Sequence, residues 1–397
     1  MKRFTLLLLP AWLAAMPLQT LIEHAKNNHT SLKSIEQRVS AIDNEYERSR
    51  NFADPVLSLT MSDIQLDDIT NRSIERMQYT ALNVQQRIPY FGKRDARANK
   101  IKAKQEKVAL SIDAMKVKIV KEIKITAYSI WEREEELKIT GEYVKLTKQN
   151  IELYSAVSIS DAKAHMSIMS AEMSLSELRI KQSRLKSLLK GLYKKISYLS
   201  EMEVDSVEVT MTLHKPQSLD AYIDANKRNI SYKIKEATLK EANLDIKVKD
   251  LEAYVDPVVK VGYFKREAFN DYINIGVAFS IPLYGTQESK TEQSRKLALA
   301  SQSEILDLDN LIRSQMQAIH ANLEDAYTVH TIIMHESMPQ IEHMFELSSS
   351  SIKSGEELFI YIDLLEKKLS LDEKNIVAVA RYHKSQARLD ALIGEMK

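Results

Sequence analysis

Apolar and polar residues alternate one for one between Tyr272 and Ile281. Bulky apolar side chains fall at 273, 275, 277, 279 and 281, and Asn274, Gly276, Ala278 and Ser280 occupy the positions between. A period of two predicts a strand with one apolar face and one small or polar face. Val259, Val261 and Tyr263 predict its hairpin partner, and Pro282 and Gly285 close the unit. The pattern occurs twice. From Val56 to Ser62, Leu57, Leu59 and Met61 alternate with Ser58, Thr60 and Ser62; a polar loop with Asp63, Asp67, Asp68 and Asn71 follows. A second strand runs from about Tyr79 to Ile88, closed by Pro89 and Gly92.

Elsewhere the period lengthens to that of helices. Residues 18–50 predict one amphipathic helix. After Gly92, Ile101, Val108 and Met115, then Ile123, Ile130, Leu137, Val144 and Ile151, recur every seven residues. That spacing is a coiled-coil seam. At roughly 1.5 Å per residue, a helix over 93–156 is a rod of roughly 95 Å. A return helix over 161–199, a short strand within 204–211 and a helix over 219–252 follow. A second long helix over 287–353 carries Ile305, Ile312, Ile319, Ala326 and Ile333 at heptad spacing, and the last helix spans 356–394.

The offsets point to a duplication: Asp256 follows Asp54 by 202 residues, and Pro282 follows Pro89 by 193. The expected organisation is a leader at 1–15, a first repeat at 16–199 (β-hairpin 55–89, helical hairpin 93–199), a connector at 200–217 and a second repeat at 218–397 (β-hairpin 256–282, helical hairpin 286–395).

Composition narrows the function. Eight glycines and eight prolines in 397 residues fit very long elements, and the absence of cysteine excludes disulfides and zinc–thiolate sites. The start MKRFTLLLLPAWLAA reads as a secretory signal peptide cleaved near Ala14 or Ala15, although Leu13 is large for that position. Without Lys2 and Arg3 the chain carries 54 basic and 55 acidic residues, a balance that argues against nucleic acid as partner. No later stretch reaches the roughly 18 apolar residues of a membrane-crossing helix. Phosphate loops, nucleophile elbows and His-Glu-x-x-His are missing, so no enzyme and no cofactor is expected.

Four strands with an apolar face leave exposed edges and cannot close a lined pore alone, since about eight strands make the smallest barrel. If that face meets lipid, several chains must pool strands, and three copies give about twelve, an even number as in outer-membrane barrels. The same alternation also fits a soluble sheet packed on helices. Extraction with the outer membrane separates a duct from an exported structural coiled-coil protein.

Asp54-Pro55 with Gln86-Arg-Ile-Pro-Tyr-Phe-Gly-Lys-Arg94, its echo Asp256-Pro257 with Ile281-Pro-Leu-Tyr-Gly285, and Ser354-Gly-Glu-Glu-Leu-Phe-Ile-Tyr-Ile-Asp-Leu-Leu365 resemble the outer-membrane efflux protein (TolC) family over nearly the whole chain. The Pro-Tyr-Phe-Gly-Lys-Arg form is most similar to its heavy-metal CusC/CzcC branch. Many members of that branch carry a lipidated cysteine, and here the chain departs from them. The resemblance implies a mixed α/β, mainly helical membrane protein: a homotrimer with a twelve-stranded barrel in outer-membrane lipid, continued by a periplasmic helical tunnel. It implies an exit duct of a tripartite pump, served by a periplasmic adaptor and an inner-membrane RND-type transporter, with heavy-metal cations as cargo. Drug efflux and type I protein secretion are the alternatives.

The same resemblance assigns adaptor docking to the helix tips at Ser158, Ile159, Ser160, Asp161, Lys353, Ser354, Gly355, Glu356 and Glu357. It assigns a pore constriction to Tyr361 or Asp363. Ordinary helix–helix turns and solvated charges account for these residues equally well. Pro89, Gly92, Pro282 and Gly285 read as strand-to-helix joints. Gly141 and Pro339, the breakers within the long helices, are hinge candidates or tolerated bends. His165, Met166, Met169 and Met173 include soft ligands, but methionines at this spacing more commonly fill a helical seam, so no metal site is assigned.

Overall fold

The computed structural model describes residues 15–157, 162–350 and 355–395. The chain divides into two compact units. One comprises Met1–Lys33, Asp113–Ile230 and Asp309–Lys397; the other comprises Ser34–Ile112 and Ser231–Leu308.

The first unit is helical. Strand β1 (Met16–Pro17) leads into helix α1 (Leu18–Asn28) and pairs in parallel with β4 (Val207–Glu208), all that forms of the strand expected over 204–211. Its long helices include the C-terminal parts of α3 (Lys93–Val157) and α7 (Thr286–Ile332), together with α4 (Ala162–Ser200), α8 (Met338–Ser350) and α9 (Gly355–Leu392). Seam residues Ile123, Ile130, Ile312, Ala326 and Ile333 are buried as their heptad spacing predicts, beside Ile196, Met316, Leu323 and Leu389.

Two helices expected to be continuous are broken. Residues 18–50 divide at His29 (φ −57°, ψ 126°) into α1 and α2 (Thr30–Arg50). Residues 219–252 divide into α5 (Leu219–Asp224), a 3-10 turn (Asn226–Arg228) and α6 (Ile230–Glu252), with Asn229 at φ −54°, ψ 128°. Neither break uses glycine or proline. Glu201 Oε1 accepts the Thr30 N–H at 2.6 Å, and Asn229 Nδ2 donates to the Leu392 carbonyl at 2.7 Å. The Thr30 N–H, which a continuous helix would have bonded internally, is met by a tertiary partner instead. Each break lies in the helical segment before one of the two hairpins.

The second unit holds one antiparallel sheet of order β2 (Val56–Ser62), β3 (Tyr79–Arg87), β5 (Val258–Lys265), β6 (Tyr272–Ala278). The two hairpins therefore meet through β3 and β5. Strand β6 stops at Ala278, three residues short of the alternating pattern, because Phe279–Ile281 have no partner strand and lead into Pro282. Within this unit α2, α3 and α6 are bound by ion pairs: Lys100–Asp245 (2.7 Å), Lys107–Glu241 (2.5 Å) and Lys104–Glu45 (2.7 Å).

Candidate functional site

Strand register turns four separate alternations into one surface. Leu57 lies opposite Val84, Val84 opposite Val261 and Val261 opposite Ile275; the next row is Leu59, Leu82, Tyr263 and Ile273. These eight side chains are 42–77% exposed. Among the described residues no helix covers them, so the sheet is not packed on the described helices of its own chain. A contiguous apolar face of this kind marks an interaction site. The opposite face carries Ser58, Asn83, Gly262 and Asn274 in one row, flanked by Val56, Gln85, Lys260 and Gly276 on one side and by Thr60, Ala81, Phe264 and Tyr272 on the other. At Gly262 a Cβ would fall 2.3 Å from Asn83 Oδ1 and 2.7 Å from Phe264 Cε2, so those side chains would have to turn aside. Strands β2 and β6 flank the sheet and leave both edges without a neighbour in the chain.

The joints beneath the sheet are built alike. Gly92 and Gly285 stand directly before α3 and α7 with φ of +85° and +68°, a region costly for residues with a Cβ. Their carbonyls accept the first helical bonds, from Ala96 N–H (2.9 Å) and Ser289 N–H (3.0 Å). Phe91 and Tyr284, at equivalent positions, are 92% and 93% exposed.

Only the first joint is locked. Lys93, 4% exposed, donates to Asp256 Oδ1 at 2.6 Å and to the Tyr254 carbonyl at 2.5 Å. The Tyr90 N–H reaches the same carboxylate at 2.8 Å, and the Tyr90 and Tyr254 rings stack at 4.5 Å. Burial works to raise the Asp256 pKa, but the Lys93 ammonium and Tyr90 N–H outweigh it and hold the carboxyl below its ordinary value. Sequence reading missed this lock, which joins residues 163 apart. The second joint has Thr286 where the first has Lys93.

Of the tip residues, Ser158, Ile159, Ser160, Asp161, Lys353 and Ser354 lie outside the described residues; Gly355, Glu356 and Glu357 form the first turn of α9. Tyr361 and Asp363 are separated by the helix. Tyr361, 8% exposed, packs with Tyr143, Ala171 and Leu365, its ring 4.8 Å from Phe345. This ring packs in the core within the chain. Asp363 is exposed and pairs with Lys367 at 2.7 Å. Helix α3 runs uninterrupted through Gly141, where an added Cβ would meet Gln182 Nε2 at 3.4 Å. Before Pro339 the helix instead widens into a π turn, Ile333–Ser337. Proline lacks the N–H for a bond to residue 335 and crowds that carbonyl.

Met166, Met169 and Met173 are exposed on α4, so they do not fill a seam within the chain. Among the described residues no three His, Cys, Asp or Glu converge as a metal site, and no helix is long and apolar enough to cross a membrane. A buried ionic cluster also went unread: Arg133 pairs with Glu132 (2.8 Å) and Glu136 (2.5 Å), and Lys384 pairs with Glu132. Burial pushes the Glu136 carboxyl above its ordinary value against the pull of Arg133.

Neither a family model nor a curated protein matches the sequence. Solved structures match its fold. The outer-membrane channel OprN superposes with a TM-score of 0.78 at 13% identity, covering 95% of this chain and 89% of that one. The outer membrane protein VceC from Vibrio cholerae gives 0.73 at 14% identity, covering 96% and 97%. CusC, described for transmembrane channel formation, gives 0.69 at 12% identity, covering 95% and 92%. The chain has the fold of outer-membrane channels. CusC is no nearer to it than OprN or VceC.

Proposed function

We propose that the protein is the outer-membrane exit duct of a tripartite efflux pump, working as a homotrimer that extends into the periplasm. The observation that carries this reading is the sheet: an exposed apolar face aligned across four strands, an opposite face that is mostly small or polar, with Val56, Phe264 and Tyr272 among its exceptions, and two open edges. An open sheet cannot leave its edge groups unpaired in lipid, so β2 of one copy pairs with β6 of the next, and three copies close about twelve strands. The apolar face meets lipid and the other lines water.

The tips around 158–161 and 353–357 dock a periplasmic adaptor that links the duct to an inner-membrane RND-type transporter. Asp363, repeated three times, favours cations at the constriction. Gly141 and Pro339 act as hinges through which the tunnel end dilates. The proposed cargo is heavy-metal cations. This finer step rests on the Pro89-Tyr-Phe-Gly-Lys-Arg94 joint.

Purified protein in a planar bilayer, with the mass of the assembly measured, tests the duct. A trimer giving small, cation-selective steps is expected; a monomer without channel activity refutes it. A deletion strain sensitised to metal ions and not to organic toxins is expected for the cargo. Sensitisation to organic toxins alone refutes that part.

A further inference from the structure

The loop between β2 and β3, residues 63–78, is a built structure. Arg72 Nη2 donates to the Ser62 and Tyr79 carbonyls at 2.6 and 2.9 Å, pinning the two ends of the loop. The buried Gln78 side chain accepts the Ile74 and Glu75 N–H groups at 3.1 and 3.2 Å and donates to the Asp63 and Asn71 carbonyls at 3.0 and 3.2 Å. On this frame the outgoing arm holds Ile64, Leu66 and Ile69 in solvent, with Leu66 89% exposed. The returning arm already has a partner: Arg76 sits over the Phe269 ring of the short 266–271 loop, 5.8 Å from its centroid.

We propose that the outgoing arm is covered by the 266–271 loop of a second copy, as a clasp between adjacent subunits at the hairpin tips. The inference rests on the trimeric channel reading above. Strand β2 is an open edge and runs directly into the outgoing arm at Asp63, so whatever pairs with β2 also borders that arm. An antiparallel β6 from the next copy brings the start of that strand, and the loop before it, to the end of β2. Each long loop then lies between two short ones, its own on the Arg76 side and that of the next copy on the Leu66 side. The clasp ties subunits together outside the strand ladder and seals apolar loop residues that water would otherwise contact.

The chain has no cysteine, so engineered pairs report without background. In full-length protein reconstituted in lipid, Leu66→Cys combined with Ala268→Cys is expected to form covalent dimers and trimers on oxidation, and neither single variant is. A trimer whose thiols stay free, or pair within one chain, overturns the clasp and leaves the channel reading standing. A protein that is monomeric in lipid overturns both. Independently, Leu66→Asp with Ile69→Asp is expected to lower the temperature at which the trimer dissociates by several degrees, with single-channel conductance unchanged. An unchanged dissociation temperature counts against the clasp.

Discussion

The helical unit and the sheet unit treat apolar residues in opposite ways. In the helical unit the heptad positions Ile123 and Ile130, with Leu323 and Leu389, are sealed inside the chain. In the sheet unit Leu57, Leu59, Ile273 and Ile275 lie outside, in register and uncovered. On the proposed duct reading, the sheet unit is stable only once lipid and further copies supply the missing surroundings, while these helical positions already have theirs. Single substitutions therefore ought to act through different solvents in the two regions.

A large effect is expected in the locked joint. Asp256→Asn leaves Lys93 buried without its counter-charge, at a cost of roughly 3 kcal/mol seen as a lower unfolding midpoint. Acid reports the same contact. Because the folded Asp256 pKa is lowered, its stabilisation is complete above the ordinary value of 3.8 and is lost as pH falls through the depressed one. Hydrogen exchange at the first joint is expected to rise below that pH, with the second joint, which lacks the lysine, unaffected. Equal response of both joints contradicts the lock.

Leu323→Ala is expected to cost about 2–5 kcal/mol in any medium, because the cavity lies inside the helical unit. Ile275→Lys is expected to cost about 2–4 kcal/mol in a bilayer and little in detergent, whereas Asn274→Lys on the opposite face costs less than about 1 kcal/mol in either. Folding titrations into vesicles and into micelles make the comparison. If Leu323→Ala and Ile275→Lys respond alike to the change of medium, the two regions do not differ as described.

Smaller effects fall on the glycines. Gly92→Ala and Gly285→Ala each force a left-handed residue with a Cβ, for about 1–2 kcal/mol, measurable in urea. Gly141→Ala lies mid-helix with ordinary contact to Gln182 and is expected to stabilise by up to about 1 kcal/mol. If Gly141 is a hinge, transport falls while stability rises; unchanged transport removes it as one.

Much of this contrast was legible in the sequence, where period two and period seven are separate signals. Strand β2 matches its expected bounds, and α3 ends one residue beyond its expected limit. Contacts between distant residues were not legible. The breaks at His29 and Asn229 depend on Glu201 and Leu392, and the joint lock pairs Lys93 with Asp256. The packing of Tyr361 against Tyr143 and Phe345 was likewise not legible, because spacing along one helix does not say which neighbouring helix covers it. Pro339 was read as a hinge candidate or a tolerated bend, and the π turn before it was not anticipated.

The sheet's two faces can be tested directly along β6. Single cysteines at Ile273, Asn274, Ile275, Gly276 and Val277, spin-labelled in the reconstituted protein, report accessibility to oxygen from lipid and to a polar nickel chelate from water. The account predicts oxygen maxima at 273, 275 and 277 and chelate maxima at 274 and 276, two period-two waves in opposite phase. Waves in phase, or chelate access highest at 273, 275 and 277, would contradict a sheet that sets lipid on one side and water on the other.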